Sequence, residues 1–298
     1  MFCVKCKKQT ETIDETNSTS KNGRNVKKGK CKECGTNKTC FVKGKPKVAK
    51  EEEGQDKIGG AAPPAEGEET EDMEKYAKFS AATYIPKDER EEWLKKEGIN
   101  NYLLDKDLSD VENTVFYNPE TKHMVYGARG SVAAKDWLID DMAIAAGKKG
   151  LFEALPRYKS TKERLKQATQ KYSDYKHDAA SHSLGATLIT TAGTELNVPF
   201  HAYSTGSSPA GWGSSVWERT KNIFKPAKKK WLKEHGKTYN VWTDPVSIAD
   251  TIFPVYDSKH YNIKQQKQAS NPHSILNFYK STGSGAKALR SHCPMYEQ

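Results

Sequence analysis

Five of the six cysteines lie in the first 40 residues, as Cys3, Cys6, Cys31, Cys34 and Cys40, and the sixth is Cys293. Two residues separate Cys3 from Cys6, and two separate Cys31 from Cys34. A Cys-x2-Cys turn presents two sulfurs from one tight loop. Two such turns supply the four ligands of a tetrahedral structural zinc site, with no open position for catalysis. A short segment with so few large apolar side chains needs a staple of this kind to fold. A disulfide scaffold would not leave the long remainder of the chain with one cysteine. The clustering therefore points to metal binding in a reducing compartment. Cys40 is a spare thiol that could replace Cys34, a weaker choice than the paired turns.

Charge divides the chain in three. Residues 1–50 carry a net +10 and residues 51–74 a net −9, within a total of +10 for the 298 residues. The acidic block is rich in Glu, Gly, Ala and Pro and cannot bury enough apolar surface to offset chain entropy. The expected organisation is a zinc module over 1–47, a disordered acidic linker over 48–73 and a main domain over 74–298. The basic head suits contact with a polyanion, either nucleic acid or an anionic membrane. Lysines that only keep a small domain soluble would look the same. Base stacking has little support there, because Phe2 and Phe41 are the only aromatic residues of the head. No apolar run approaches the ~20 residues of a membrane-spanning helix. MFCVKCKK lacks the apolar core of a secretory signal. The expected location is intracellular rather than classically secreted.

In the main domain, helical spacing of Met73, Tyr76, Phe79 and Ala82 predicts a first helix, and EREEWLKKEG a second one ended by Gly98. NTVFYNP and KHMVYGARG read as strands. A helix is predicted over residues 160–182, capped by Ser160 or Thr161 with Glu163 completing a capping box. SLGATLITTAGTEL reads as another helix, VPFHAYSTG and YNVWTDPVS as strands, and NPHSILNFYKST as a short closing helix. Strands alternating with helices predict an α/β fold with a mostly parallel sheet.

The sharpest chemical signal is Ser181-His182-Ser183-Leu184-Gly185. A nucleophile elbow needs a serine on a tight strand-to-helix turn, with small residues two before and two after it. Ser181 and Gly185 meet the size rule, although glycine is usual at both places. Around these residues the chain resembles the class 3 (fungal-type) lipase family, whose elbow reads GHSLGG. Ala128-Arg129-Gly130-Ser131, followed by Asp136, Trp137, Asp140 and Asp141, is similar to that family's strand end and Asp-Trp continuation. HAYSTGSSPAG at 201–211, Asp244-Pro245-Val246, and His273 in NPHSILNFY resemble three further blocks in the family order. The N-terminal stretches CVKCKKQTE, KNGR and KGKCKECGTNKTCFVK also resemble a small uncharacterised zinc-ribbon family seen in bacterial and viral proteins.

The lipase resemblance implies an α/β-hydrolase fold and an ester hydrolase acting on lipids, as a triacylglycerol lipase or a phospholipase, with no cofactor for catalysis. Ser183 would be the nucleophile, His273 the base, and Asp244 the acid that orients the imidazole. The oxyanion donors would be the backbone N–H of Leu184 and the N–H or hydroxyl of Ser131. Asp250 and Asp257 also lie between Ser183 and His273, but Asp244 ends a predicted strand. His260 and His292 compete as bases, and spacing to the closing helix favours His273. His182 reads as a packing or hydrogen-bonding residue, and Asp136 and Trp137 as structural.

The stretch 132–152 reads either as an amphipathic lid or as a buried helix. The lysines of 225–237, with Trp231 among them, read either as a contact for an anionic lipid surface or as a solvated face. A lipase body joined to this ribbon suggests a viral origin and association with virions. Two other readings remain open: an inactive hydrolase fold kept for binding or structure, and a nucleic-acid-binding protein led by the ribbon.

Overall fold

The computed structural model describes residues 2–19, 25–41, 68–132, 155–205, 226–245, 247, 258–269 and 271–293. The chain forms two compact units, Met1–Lys57 and Ile58–Gln298.

The regular elements among the described residues of the first unit are all strands. Strands β1 (Phe2–Cys3) and β2 (Lys8–Gln9) pair antiparallel, and β3 (Thr12–Thr19), β4 (Asn25–Cys31) and β5 (Asn37–Phe41) form a three-stranded antiparallel sheet. Both Cys-x2-Cys turns follow directly on a strand end, Cys3 on β1 and Cys31 on β4. Lys38, only 3% exposed, donates to the carbonyls of Thr10 and Glu11 and to the hydroxyl of Thr12. Its ammonium thus fastens β5 to the segment that leads into β3.

The second unit is built on a seven-stranded sheet. Its strands are β6 (Leu103–Leu104), β7 (Asn113–Asn118), β8 (His123–Ala128), β9 (Lys176–His182), β10 (Phe200–Tyr203), β11 (Gly236–Val241) and β12 (Lys259–Ile263), lying side by side in chain order. β8 to β12 run parallel, and β6 and β7 join by antiparallel pairing. Its helices are α1 (Glu68–Ala82), α2 (Arg90–Lys96), α3 (Pro156–Lys171), α4 (Leu184–Leu196), α5 (Pro226–His235) and α6 (Gly283–His292).

Alternation along each strand splits the core into two clusters. Val125, Ala180, Tyr203 and Tyr239 pack with α1, α2 and α6. Met124, Tyr126, Ala179, Phe200 and Ala202 pack with α3, α4 and Leu232 of α5. Parallel strands wound in one direction need crossovers of one hand, which carries α3, α4 and α5 to a single face. The result is a three-layer α/β/α sandwich, the architecture of an α/β-hydrolase. No helix of the described residues is long and apolar enough to cross a membrane.

The structure departs from the sequence reading at several places. The helix predicted over 160–182 is two elements. α3 starts at Pro156, so Ser160 and Thr161 lie inside it and do not cap it. β9 then occupies residues 176–182. KHDAASH lacks β-branched residues, and its small Ala179 and Ala180, both 0% exposed, let layers close on both faces of a central strand. α1 begins at Glu68, inside the stretch expected to be disordered. Acids of that block are used by the body: Glu69 accepts from the Tyr261 hydroxyl and Asp72 pairs with Lys237, while the Tyr203 hydroxyl donates to the Met73 carbonyl. The closing helix is a single 3-10 turn, Ile275–Asn277, and α6 follows it. β6 and β12 were not anticipated.

Arg90 holds the start of this unit together. It is 1% exposed, and its guanidinium donates to the carbonyls of Thr83, Ile85, Asp110, Val111 and Asn113 at 2.6–3.2 Å. Burial depresses its pKa to about 10. Arg90→Met would leave those carbonyls short of donors in the interior. The expected loss is about 3 kcal/mol or more, read as a lower urea midpoint.

Candidate active site

Ser183 sits where β9 turns into α4, with φ 58° and ψ −130°. A non-glycine residue in that region costs about 1–3 kcal/mol, and the surroundings have to impose it. Two glycines make room for the turn. A Cβ on Gly185 would lie 2.1 Å from the carbonyl oxygen of Ala128, and one on Gly130 would lie 2.1 Å from the Tyr84 hydroxyl and 3.2 Å from Ser183 Cβ. The Ser183 N–H donates to the carbonyl of Tyr203 at 2.9 Å, which ties the turn to β10. Ser181, the departure from glycine, is fully buried and accepts the Ala128 N–H on its hydroxyl at 2.8 Å. The extra side chain binds the end of β8 to β9 and leaves the turn unobstructed.

Three loops at the carboxyl ends of the parallel strands converge on this serine. His273 Nε2 lies 2.9 Å from Ser183 Oγ, and His273 Nδ1 lies 2.8 Å from Asp244 Oδ2. The Asp244 side chain is 0% exposed and that of His273 16%, so the acid is sealed and the base opens toward solvent. Asp244 follows β11, and Ser247 donates to its Oδ2 at 2.7 Å. The loop that carries His273 is organised by Asn277, whose amide donates to the carbonyls of Asn271, Pro272 and Ser274. Asn271 Oδ1 accepts the N–H of His273. The sequence reading missed Ser247, Asn271 and Asn277. Their only signal is nearness in sequence to Asp244 and His273.

His182 Nε2 lies 2.7 Å from the His273 carbonyl oxygen and its Nδ1 2.9 Å from the Tyr84 hydroxyl. Burial, then the nearby His273, pushes its pKa well below the ordinary histidine value. The neutral ring therefore donates from Nε2 to the carbonyl and accepts from Tyr84 at Nδ1. It braces the backbone of the base against the elbow, and nothing in the sequence marks Tyr84 as its partner.

Leu184 is the first residue of α4, where backbone N–H groups have no acceptor within the helix. Ser131 follows β8 directly, is 4% exposed, and its hydroxyl has no partner among the described residues. Of the rival residues, Asp250 and Asp257 lie outside the described residues, as do Asp136, Trp137, the rest of the expected lid over 133–152, and the turn at 206–211. His260, on β12, has its Nε2 3.2 Å from Ser258 Oγ, and His292 ends α6. Trp231 is partly buried and packs against the core beside buried Leu232.

In the first unit, the sulfurs of Cys3, Cys6, Cys31 and Cys34 all lie within 4.8 Å of one another. The contacts Cys3–Cys34 and Cys6–Cys31 are 3.5 and 3.9 Å. A tetrahedron with metal–sulfur bonds of about 2.3 Å has edges of about 3.8 Å, so the donor set fits a structural zinc ion. Hydroxyls of Thr10 and Thr36 lie 3.1 and 3.2 Å from Cys31 and Cys34. Cys40 stands on β5 outside the cluster. Every acid among the first 50 residues meets a lysine: Glu11 with Lys32, Asp14 with Lys30, Glu15 with Lys27, and Glu33 with Lys8. Much of the basic charge on the described part of the head is therefore already balanced.

The tight seat of Gly185 yields a direct test. Gly185→Ala would drive a methyl into the Ala128 carbonyl and displace Ser183 from His273. The expected outcome is a chain that still folds but loses at least tenfold in the labelling rate of Ser183 by a fluorophosphonate.

Residues 2–41 match a family model described as a domain of unknown function, DUF5679. No curated protein matches the chain. Among solved structures, the chain is similar to a mutant form of MDLA from Penicillium cyclopium, at 17% identity over 72% of this chain and 86% of that one, with a TM-score of 0.45. It is similar to a Rhizomucor miehei lipase propeptide complex at 12% identity over 76% and 85%, with a TM-score of 0.39. It is also similar to a triacylglycerol lipase from Penicillium expansum at 18% identity over 69% and 81%, with a TM-score of 0.35. None of these matches bears on a viral source.

Proposed function

We propose that the chain is a serine carboxylic-ester hydrolase that acts on lipid esters, as a triacylglycerol lipase or a phospholipase. The observation that carries this reading is the unbroken hydrogen-bond chain Ser183–His273–Asp244 on a strained strand-to-helix turn. Ser183 Oγ attacks the ester carbonyl carbon as its proton passes to His273 Nε2. Asp244, sealed from solvent, fixes the tautomer and stabilises the imidazolium. The negative charge that develops on the carbonyl oxygen is met by the N–H of Leu184 and by Ser131, whose unpartnered buried hydroxyl supports that role. The imidazolium returns its proton to the leaving alkoxide. Water then repeats the sequence on the acyl-enzyme and frees the acid.

The lipid surface is the proposed partner of this site. The cysteines Cys3, Cys6, Cys31 and Cys34 would hold a structural zinc ion, which stabilises the small β unit and takes no part in ester hydrolysis. The remaining positive charge of the head is the proposed contact for a polyanion. Of the described lysines there, Lys5, Lys7 and Lys28 are neither paired with an acid nor, like Lys38, buried against backbone carbonyls.

Ser183→Ala is expected to lower hydrolysis of p-nitrophenyl butyrate by about 10³-fold or more while leaving the circular dichroism spectrum unchanged. Unchanged turnover in the folded variant would eliminate the serine mechanism. For the metal, elemental analysis of the full chain should return one zinc per molecule. Chelation should remove amide-exchange protection from residues 2–41 and spare β8 to β12. A chain purified without zinc, with the same protection in 2–41, would sink the zinc assignment.

A further inference from the structure

The amino ends of the same parallel strands carry a second polar constellation. An open cleft of about 730 Å³ lies between one face of α1, the 98–102 loop and the turn from β7 to β8. Its lining includes Lys75, Lys78, Asn101, Tyr102, His123 and Lys176. β9 carries Lys176 at one end and Ser183 just past the other, and a strand rises about 3.3 Å per residue, so the cleft and the elbow are about 20 Å apart.

Two of the lining residues, Tyr102 and His123, join Asp178 behind them in a set of polar side chains that the proposed ester hydrolysis does not use. Tyr102, His123 and Asp178 are each more than nine-tenths buried. Tyr102 Oη lies 2.6 Å from His123 Nδ1, and His123 Nε2 lies 2.7 Å from Asp178 Oδ2. The Tyr76 hydroxyl donates to the same carboxylate oxygen at 2.8 Å, and Lys176 Nζ reaches it at 3.2 Å. Burial alone would raise the Asp178 pKa, but the His123 hydrogen bond, the charges of His201 and Lys176, and the Tyr76 hydroxyl bring it down to about 2. Asp178 is therefore a carboxylate. The tautomer of His123 that donates from Nε2 to this carboxylate offers its Nδ1 lone pair to the Tyr102 hydroxyl. Hydroxyl, imidazole and carboxylate stand in the same order as Ser183, His273 and Asp244.

We propose that Tyr102 is a second nucleophile, which accepts acyl groups from small polar esters bound in this cleft, with His123 as its base and Asp178 as the group that orients the base. Burial, and after it the charge of Asp178, raises the Tyr102 pKa to about 12, so the phenol stays protonated at rest. Attack must then be coupled to proton transfer. Tyr102 Oη forms a bond to the ester carbonyl carbon as its proton moves to His123 Nδ1. The ester C–O bond breaks, the proton passes to the leaving alkoxide, and an acyl-tyrosine remains. Lys75 Nζ lies 5.7 Å from the centroid of the Tyr102 ring, where its charge favours the developing phenolate. The lysines, glutamates and asparagines of the lining favour a polar acyl group over a lipid chain. This inference goes beyond the Ser183 reading and stands independently of it.

The test uses the full chain carrying Ser183→Ala, so that Tyr102 is read without the other nucleophile. The protein is treated with p-nitrophenyl acetate, and in parallel with 4-(2-aminoethyl)benzenesulfonyl fluoride, then digested and mapped by mass spectrometry. Tyr102 should be modified at least tenfold faster than the more exposed Tyr117 and Tyr175. His123→Gln should lower that rate at least tenfold, and Tyr102→Phe should abolish the adduct. If His123→Gln does not fold, the comparison with Tyr117 and Tyr175 within the folded Ser183→Ala chain decides alone. Modification of Tyr102 no faster than of those two tyrosines would overturn the proposal and leave the network with a structural role.

Discussion

The arrangement at the carboxyl edge of the sheet depends on one backbone conformation, the positive φ of Ser183 between β9 and α4. It points a hydroxyl away from both the strand and the helix, which no regular element does. Close packing enforces it. The Gly185 backbone lies against the Ala128 carbonyl, Gly130 lies against Tyr84 and Ser183, and the Ser183 N–H is held by Tyr203. A strained turn persists only where its neighbours over-determine it. Here those neighbours come from β8, β10 and the segment after α1. The conformation of Ser183 is therefore a property of the assembled sheet and not of the five-residue motif alone.

The imidazole is positioned by the same economy of contacts. His273 comes from a loop after β12, at the far edge of the sheet from β6, and a loop of that length has no regular structure to fix it. Asn277 ties down three carbonyls of the loop, and His182 ties down the carbonyl of His273 itself. His182 adjoins Ser183 in sequence, so a movement of the elbow moves the brace with it. The separation of base and nucleophile is thus referenced to one strand end, although the two residues lie 90 positions apart.

What the sequence made legible follows from how local each signal is. The elbow could be read because its constraint is local: small residues must flank the serine within five positions. The strands β7, β8, β10 and β11 could be read because each is a short local run of apolar and aromatic residues. β9 was hidden because its defining feature is not its propensity. Lys176–His182 is a strand because Ala179 and Ala180 allow α1 and α4 to approach a central position from opposite sides, and that condition exists only after the sheet has formed. The first turns of α1 were hidden for the same reason. Their acids look like a solvated linker until Tyr261 and Lys237 arrive from strands more than 160 residues away. Asp244 and His273 were assigned by family resemblance. Spacing alone left Asp250 and His260 in contention, and the hydrogen bonds to His273 come from long-range geometry that no local pattern encodes.

Buried polar groups in this protein differ in how fully they are met. Arg90 donates to five carbonyls, and Glu97, 3% exposed at the end of α2, accepts from Ser281 and Thr282 just before α6. These two side chains fasten backbone and capping groups of the fold. Ser131 is as deeply buried and has no hydrogen-bond partner among the described residues, immediately beside the residue that packs on Ser183. An unmet buried hydroxyl costs about 1–3 kcal/mol. In the proposed reaction that hydroxyl would meet the charge that develops on the substrate's carbonyl oxygen.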